Sequence, residues 1–409
     1  MTDFSSLPSS SEFAHLWSID PQAVYLNHGS FGACPYYVME RQSHYRQQME
    51  RHPIRFLIRE LPALMDAARE RIAAFVHASP TDLVFVPNAT AGVNTVLRSL
   101  RLNPGDEILI TNHIYGACRK AAAFVCEQSG AILVEANYDF PIVSPEKITE
   151  AVLEKVSSHT RLALIDHITS ATGIIQPVQS IVKALEAKGI DTLVDGAHAP
   201  GSIDLNINNI GAAYYTANCH KWLCSPKSAA ILVVRKDRQK GIFPLIISHA
   251  GHLEADFPER FYWPGTTDFT PALCTVDALD YLSGLLPGGW PAILHRNHDL
   301  CLEGRDLLCR TLGISPPCPD DMIASMATLP LPDPPRISLP DYKSTDALQD
   351  ILYYEFGIEI PVMYWSSPPR RFLRISTQLY NSFAQYEYLA EKLKIALAME
   401  ANTYRLPGK

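Results

Sequence analysis

The sequence predicts an α/β protein: a mainly parallel central sheet sandwiched by helices, followed by a smaller α+β C-terminal unit. Three observations predict it. Short apolar runs alternate with amphipathic stretches between Leu83 and Val234, the pattern of strands joined by crossover helices. The chain has 409 residues, which suits a large domain plus a smaller one rather than one ordinary core. Composition shifts near Pro316, where prolines crowd as far as Pro335. The expected division is an N-terminal arm at 1–24, a large domain at 25–312 and a small domain at 313–409, with the arm packed near the small domain.

Bulk properties exclude several classes. Hydrophobic content of 47% against 19% charged is globular, not disordered. A net charge of −8 with no basic block argues against nucleic acid, which needs clustered Lys and Arg. No apolar run is long enough for a membrane span, and the first residues lack the regions of a signal peptide. Nine cysteines, an odd number without C-x-x-C pairs, point to reduced thiols and a cytoplasmic protein. Cys219 and Cys224 have no second metal-spaced pair, so no metal site is expected.

Taken in order, residues 1–20 read as a polar arm. Val24-Tyr25-Leu26 is a short strand breaking into the Gly-bounded loop Asn27-His28-Gly29-Ser30-Phe31-Gly32. Pro35–Arg51 and Arg55–Val76 read as helices. In the second, Leu61, Leu64, Ala68, Ile72 and Phe75 recur at helical spacing, which suits packing and a subunit interface. Asp82–Val86 is a buried strand. Asn88 then caps a helix running to about Leu100, whose first-turn N–H groups make an anion site at Ala89 and Thr90. No G-x-G-x-x-G is present, so a dinucleotide fingerprint is absent. Glu107–Ile110 is the next strand, and a flat side chain at its end, Tyr115 or His113, can stack on a ring. Helices follow at 117–128, 145–156 and 178–188, with strands Ala131–Glu135 and Arg161–Ile165 between them. The second of these ends in a polar run, Asp166 to Gly173, that includes His167 and Ser170.

Leu193-Val194-Asp195 ends a strand with an acid at its carboxyl end, where open α/β sheets bind ligands. Ala212–Ala217 and its return Ala229–Val234 flank Asn218-Cys219-His220-Lys221-Trp222. Lys221 therefore sits at a strand mouth with aromatic and thiol neighbours. Burial there disfavours its charged form, and such an amine can condense with a carbonyl as a Schiff base. An acid such as Asp195, 26 residues upstream, can pair with a pyridinium nitrogen. A Schiff-base lysine, an acid on the ring nitrogen and a phosphate cradle are the three requirements of pyridoxal 5'-phosphate. Helices at 271–286 and 288–312 lead into the C-terminal unit, where strands Arg336–Leu339 and Phe372–Ser376 and helices 344–356 and 384–399 suit an α+β layer. Arg374, mid-strand between apolar residues, carries a fork that matches a carboxylate.

Asp195-Gly196-Ala197-His198 followed by Asn218-Cys219-His220-Lys221-Trp222 resembles the class V aminotransferase family of fold type I pyridoxal-phosphate enzymes. The likeness is greatest to its isopenicillin N epimerase-like branch, which also holds hercynylcysteine sulfoxide lyases. It runs from Leu26 to about Leu393. The resemblance implies a catalytic set of Lys221, Asp195, His198 and Tyr115, with Tyr115 stacking on the ring and His113 second to it. It implies that His198 meets the ring's phenolic oxygen and that Ser170 lies near that oxygen or the substrate carboxylate. Ala89, Thr90, Asn218 and His220 would reach the phosphate, although relatives often carry Ser or Thr at the place of Asn218. Thr266, in the turn Trp263-Pro264-Gly265-Thr266, would reach the phosphate of a neighbouring subunit in a homodimer. Arg374 would take the substrate α-carboxylate, with Asn27, His28 and Phe31 at the edge of the site.

The implied activity is chemistry at Cα and Cβ of a small-molecule L-amino acid. The first expectation is C–S lysis of a cysteine-derived substrate or its sulfoxide, because Val86 to Leu97 and Asn218 to Leu223 look like the sulfoxide-lyase motifs. Epimerisation and transamination are the alternatives, and a binding protein without catalysis is the non-enzyme one. Persulfide chemistry is disfavoured: Cys318 is the last cysteine and stands 56 residues before Arg374.

Overall fold

The computed structural model describes residues 7–250, 254–334, 345–365 and 370–403. Seven strands form the main sheet: β2 (Leu83–Val86), β3 (Glu107–Thr111), β4 (Ile132–Ala136), β5 (Thr160–Asp166), β6 (Asp191–Asp195), β7 (Tyr214–Asn218) and β8 (Ala230–Val234). Their order is β2-β8-β7-β6-β5-β3-β4, and only β8 runs against the rest. The strands are rich in Val, Ile and Leu and are apolar on both faces. A parallel sheet covered by helices on each side requires that. Two apolar clusters result, one on each face. Leu109, Ile165 and Val194 belong to one, and Ile108, Leu164 and Leu193 to the other.

The carboxyl ends of β2, β3, β5, β6 and β7 lie along one edge. After β3 the chain leaves to the outer strand β4 and returns as β5 on the other side of β3. That reversal opens a crevice between the loops after β3 and β5, the place where open α/β sheets hold ligands.

A second, antiparallel sheet has the order β11-β12-β9, from β9 (Met326–Pro330), β11 (Val362–Trp365) and β12 (Arg370–Ser376). Helices Ala347–Phe356 and Phe383–Thr403 pack together beside it. β9 was not expected. It is short, lies in the proline-rich stretch and ends in Pro330, which an edge strand tolerates. The strand expected at Arg336–Leu339 lies outside the described residues. β1 (Val24–Tyr25) pairs in parallel with β10 (Ile358–Glu359), and Ser11 N–H donates to the Tyr380 carbonyl. The chain's beginning thus packs on its C-terminal part. The loop after β1 closes as one helical turn, His28–Phe31, rather than an open loop.

Candidate active site

Lys221 stands three residues beyond β7, in a turn fixed by one acceptor. The Ala229 carbonyl receives N–H bonds from Cys219 at 2.9 Å and His220 at 3.2 Å. It also receives the His220 Nδ1–H at 3.0 Å. The turn His28–Gly32 presses on Lys221 from the other side. Gly32 has φ +70°, and a Cβ there would lie 2.1 Å from the His220 carbonyl oxygen and 2.8 Å from Lys221 Cα. Glycine alone suits that backbone and that approach. The Lys221 amine lies 3.1 Å from His198 Nε2. Burial, and next the Arg374 charge, lower it from 10.5 to about 8, against the opposing pull of Asp195 and Asp166.

Asp195 ends β6. Its carboxylate accepts the Ala197 N–H at 3.0 Å and the Cys118 thiol at 3.1 Å. Burial raises its pKa, and these two bonds and Lys221 hold it down. Asp166 is its register neighbour on β5. One Asp166 oxygen accepts the Tyr115 N–H at 3.0 Å, and the other is buried without a partner. Burial, then Asp195, push Asp166 well above the carboxylate range.

The anion cradle differs in one donor from expectation. Asn88 caps the helix Ala89–Ser99 by accepting the Ala91 N–H at 2.8 Å, and the Gly92 N–H goes to the Asn88 carbonyl. The Ala89 N–H is not free for an anion, because it donates to Asn218 Oδ1 at 2.8 Å. Thr90 N–H is the first-turn donor left without a partner among the described residues. Asn218 therefore ties β7 to the helix start through its oxygen, and its amide nitrogen is the end left to offer. His220 donates its Nδ1–H to the Ala229 carbonyl, and burial lowers its pKa to about 4, so the neutral ring turns only the lone pair of Nε2 outward and is not the phosphate donor expected.

Packing treats Tyr115 and His113 differently. His113 is buried between Tyr138 and Trp365, each with its ring centroid 3.9 Å away. Its nitrogens meet Thr172 Oγ1 at 2.8 Å and the Tyr138 carbonyl at 3.2 Å. Tyr138 stacks flat on one face, and Trp365 lies tilted against the ring. Tyr115 is half-exposed at the start of its helix. Burial, Cys118 and Asp195 raise its hydroxyl pKa, so the phenol holds its proton through neutral pH.

Arg374 is 1% exposed. Its guanidinium donates to the Ser170 carbonyl at 2.6 Å and to Ser30 Oγ at 2.9 Å, and its Nε has no partner. No carboxylate pairs with it among the described residues, and burial lowers it to about 10. Ser30 went unpredicted. It donates to Asn27 Oδ1 at 2.5 Å, and Asn27 Nδ2 donates to Glu359 at 3.1 Å. The polar Asn-x-x-Ser spacing inside a glycine-bounded loop was the available signal.

Two expectations at this edge are corrected. His28 is fully buried: Nε2–H donates to the Lys221 carbonyl at 3.0 Å and Nδ1 accepts from the Tyr380 hydroxyl at 2.8 Å. It braces the lysine backbone, and both its ring nitrogens are engaged within the chain. Asn27 is likewise consumed by Ser30 and Glu359, so it acts behind Arg374. Phe31 is 71% exposed and Thr266 stands on an exposed turn. Among the described residues, Thr266 has no hydrogen bond to the Lys221 group.

The donor set fits pyridoxal phosphate. A buried amine of lowered pKa suits an aldehyde carbon, a buried carboxylate suits a protonated ring nitrogen, and the Thr90 N–H and the Asn218 amide could hold the phosphate. The orphaned Asp166 oxygen and Arg374 Nε mark polar capacity that the chain itself leaves unused.

Comparison with known proteins agrees with the geometry. The chain is 30% identical to a probable chloroplastic L-cysteine desulfhydrase of Arabidopsis thaliana, over 95% of this chain and 85% of that one. It is 32% identical to the isopenicillin N epimerase of Streptomyces clavuligerus, over 92% and 95%. The solved structure of the cystine C–S lyase C-DES with its product cysteine persulfide superposes with a TM-score of 0.75 at 17% identity. That match covers 91% of this chain and 97% of that one, a likeness of fold. The family model for class V aminotransferases matches residues 24–282. With more than half its length matched by that model, and with its lysine, acid and arginine gathered at the sheet edge, the chain belongs to the class V aminotransferase family.

Proposed function

We propose that this protein is a pyridoxal-phosphate-dependent C–S lyase that removes a β-sulfur group from a cysteine-derived L-amino acid or its sulfoxide. The observation that carries the reading is Lys221, a buried amine lowered to about 8, placed with the Asp195 carboxylate and the Arg374 guanidinium, which has no acid partner among the described residues. Bound pyridoxal phosphate supplies an aldehyde that condenses with amines and a ring that accepts the electron pair left when Cα–H breaks. Arg374 grips the α-carboxylate two-pronged, held by Ser170 and Ser30. Asp195 would hold a protonated ring nitrogen, and Tyr115 would lie over the ring face. The Lys221 amine takes the proton from Cα. As the Cβ–S bond breaks, the sulfur leaves with the electron pair and receives the Tyr115 phenolic proton. The remaining 2-aminoacrylate reacts with water to give pyruvate and ammonia.

Relatives of similar identity carry epimerase and desulfhydrase names. Epimerisation needs only that a proton return to the opposite face of Cα, and transamination that it move to the cofactor. Persulfide transfer has no support in the thiols: Cys318 is buried, its pKa pushed up to about 12 by burial. Residues 25–312 and 313–409 act as large and small domains about this site. The working unit is a homodimer in which Thr266 would reach toward the phosphate bound by the partner subunit. The exposed apolar Phe31, Ile54, Ile58 and Leu245 to Ile247 suit burial between copies. Nine free cysteines suit a reducing compartment. No described helix is long and apolar enough to cross a membrane.

The test is an amino-acid panel with the purified protein, read for pyruvate and for deuterium entering Cα. Pyruvate and ammonia in equal amounts from cysteine-type substrates support lysis. Deuterium exchange without pyruvate replaces lysis by epimerisation, and no reaction with any amino acid removes the enzymatic reading.

A further inference from the structure

Trp222 follows Lys221 in sequence and is fully buried. An indole N–H can only donate a hydrogen bond. Trp222 Nε1 lies 3.3 Å from His198 Nδ1, so that ring nitrogen presents a lone pair. In the neutral imidazole the proton then sits on Nε2. His198 Nε2 lies 3.1 Å from Lys221 Nζ, and a ring N–H facing an amine requires the amine's lone pair. An imidazolium at 198 would set its Nδ1–H against the indole N–H, so the charged form of His198 is disfavoured as well.

The indole is held in place from two sides. His28 packs on it with ring centroids 4.9 Å apart. Gly201 has φ +81°, and a Cβ there would lie 2.7 Å from the Trp222 carbonyl carbon and oxygen. That contact locks the turn carrying His198 against the turn carrying Trp222.

We propose that Trp222 is a positioning residue that fixes His198 as a permanent Nε2–H donor aimed at the Lys221 amine. The lock favours the uncharged amine over the ammonium, in the direction in which Lys221 is shifted. On the functional reading above, on which this last step rests, the same donor then serves the phenolic oxygen of the bound cofactor without changing its tautomer. The charges facing this pair come from several elements: Arg374 on β12, Asp166 and Asp195 at the ends of β5 and β6, and the imidazoles of His28 and His220. Burial, then the charges of Lys221 and Arg374, hold His198 well below its ordinary range, in the same direction as the indole.

The experiment uses the full chain labelled with nitrogen-15 at histidine, with no cofactor added and His198 assigned by its loss in His198→Gln. The expected spectrum shows one tautomer across neutral pH, with a bare Nδ1 and a protonated Nε2. Trp222→Phe should give mixed tautomers and raise the half-titration point of Lys221 by about one pH unit, a roughly tenfold loss of free amine at neutral pH. Acetic anhydride labelling of Lys221, read by mass spectrometry, measures that loss. Should Trp222→Phe not fold, 3-benzothienylalanine at position 222 keeps the shape, removes the N–H and should give the same shifts. A proton on Nδ1 of wild-type His198, an imidazolium at neutral pH, or an unchanged tautomer in the variants overturns the proposal. If the protein takes up no pyridoxal phosphate yet shows the single Nε2–H tautomer, the cofactor reading fails and the tautomer lock stands.

Discussion

Lys221 is an unusual lysine because several neighbours work on one nitrogen. Burial and Arg374 bring its amine down to about 8, while an ordinary lysine titrates near 10.5. A lowered amine gains its reactive neutral form as pH rises through the lower value. Capture of pyridoxal phosphate by protein stripped of cofactor should therefore climb about tenfold per pH unit below 8 and level off above it. Stopped-flow absorbance between about pH 6 and 10 reads this directly, and a climb continuing towards 10.5 would show an unperturbed lysine. Arg374 is the second residue with a sharp expectation. A charge-assisted hydrogen bond is worth about 1.5–3 kcal/mol. Arg374→Gln should then lower kcat/KM by about ten- to a hundredfold while cofactor uptake stays near wild type. Equal losses in both would place the guanidinium outside substrate binding. Sequence reasoning reached Lys221, Asp195 and Arg374 because each interrupts an apolar strand or its mouth. It could not separate His28 from a substrate contact, since burial by Tyr380 and Trp222 depends on residues far away in the chain.

At the scale of elements, strands and caps were legible and close approaches were not. The strand ends at Val86, Asp195 and Asn218 and the cap at Asn88 fall where apolar runs stop and polar residues begin. Asn88→Ala should cost about 1 kcal/mol of stability, measured by urea unfolding, because the Ala91 N–H loses its acceptor. That same substitution should weaken cofactor retention, since the helix start also carries Thr90. The spending of the Ala89 amide on Asn218 joins residues 129 apart, and no local pattern announces it. Gly32 is similar: its necessity comes from the Lys221 backbone lying against it. Gly32→Ala should abolish lysine reactivity even where the chain still folds, and labelling of Lys221 with acetic anhydride tests it. Unaltered labelling would mean that the turn His28–Gly32 does not set the lysine. β9 was missed because its proline-rich setting resembles a linker, although an edge position accommodates Pro330.

For the whole molecule, the sheet order explains why the reactive groups converge. Chain reversal between β4 and β5 parts the loops that carry Tyr115 and Asp166, and β6 and β7 deliver Asp195 and Lys221 beside them. The three-stranded sheet brings Arg374 from the far end of the sequence to Ser170 and Ser30. The fold class was readable because alternation of strand and helix is a local signal, whereas this convergence is a property of topology. Thr266 remains apart from Lys221 within one chain, so a site completed by a second copy makes a distinct prediction. Mixing inactive Lys221→Ala with Thr266→Ala protein should restore part of the activity through hybrid dimers, read as pyruvate release. Absence of recovery, with hybrids shown by native mass spectrometry, would confine the site to one subunit. The central claim is the bond that Lys221 forms with pyridoxal phosphate. Borohydride reduction of the protein with pyridoxal phosphate, followed by peptide mass mapping, tests it most directly. A pyridoxyl group on Lys221, absent from Lys221→Ala, is the predicted result; an unmodified Lys221, or a label found on another lysine such as Lys227, contradicts it.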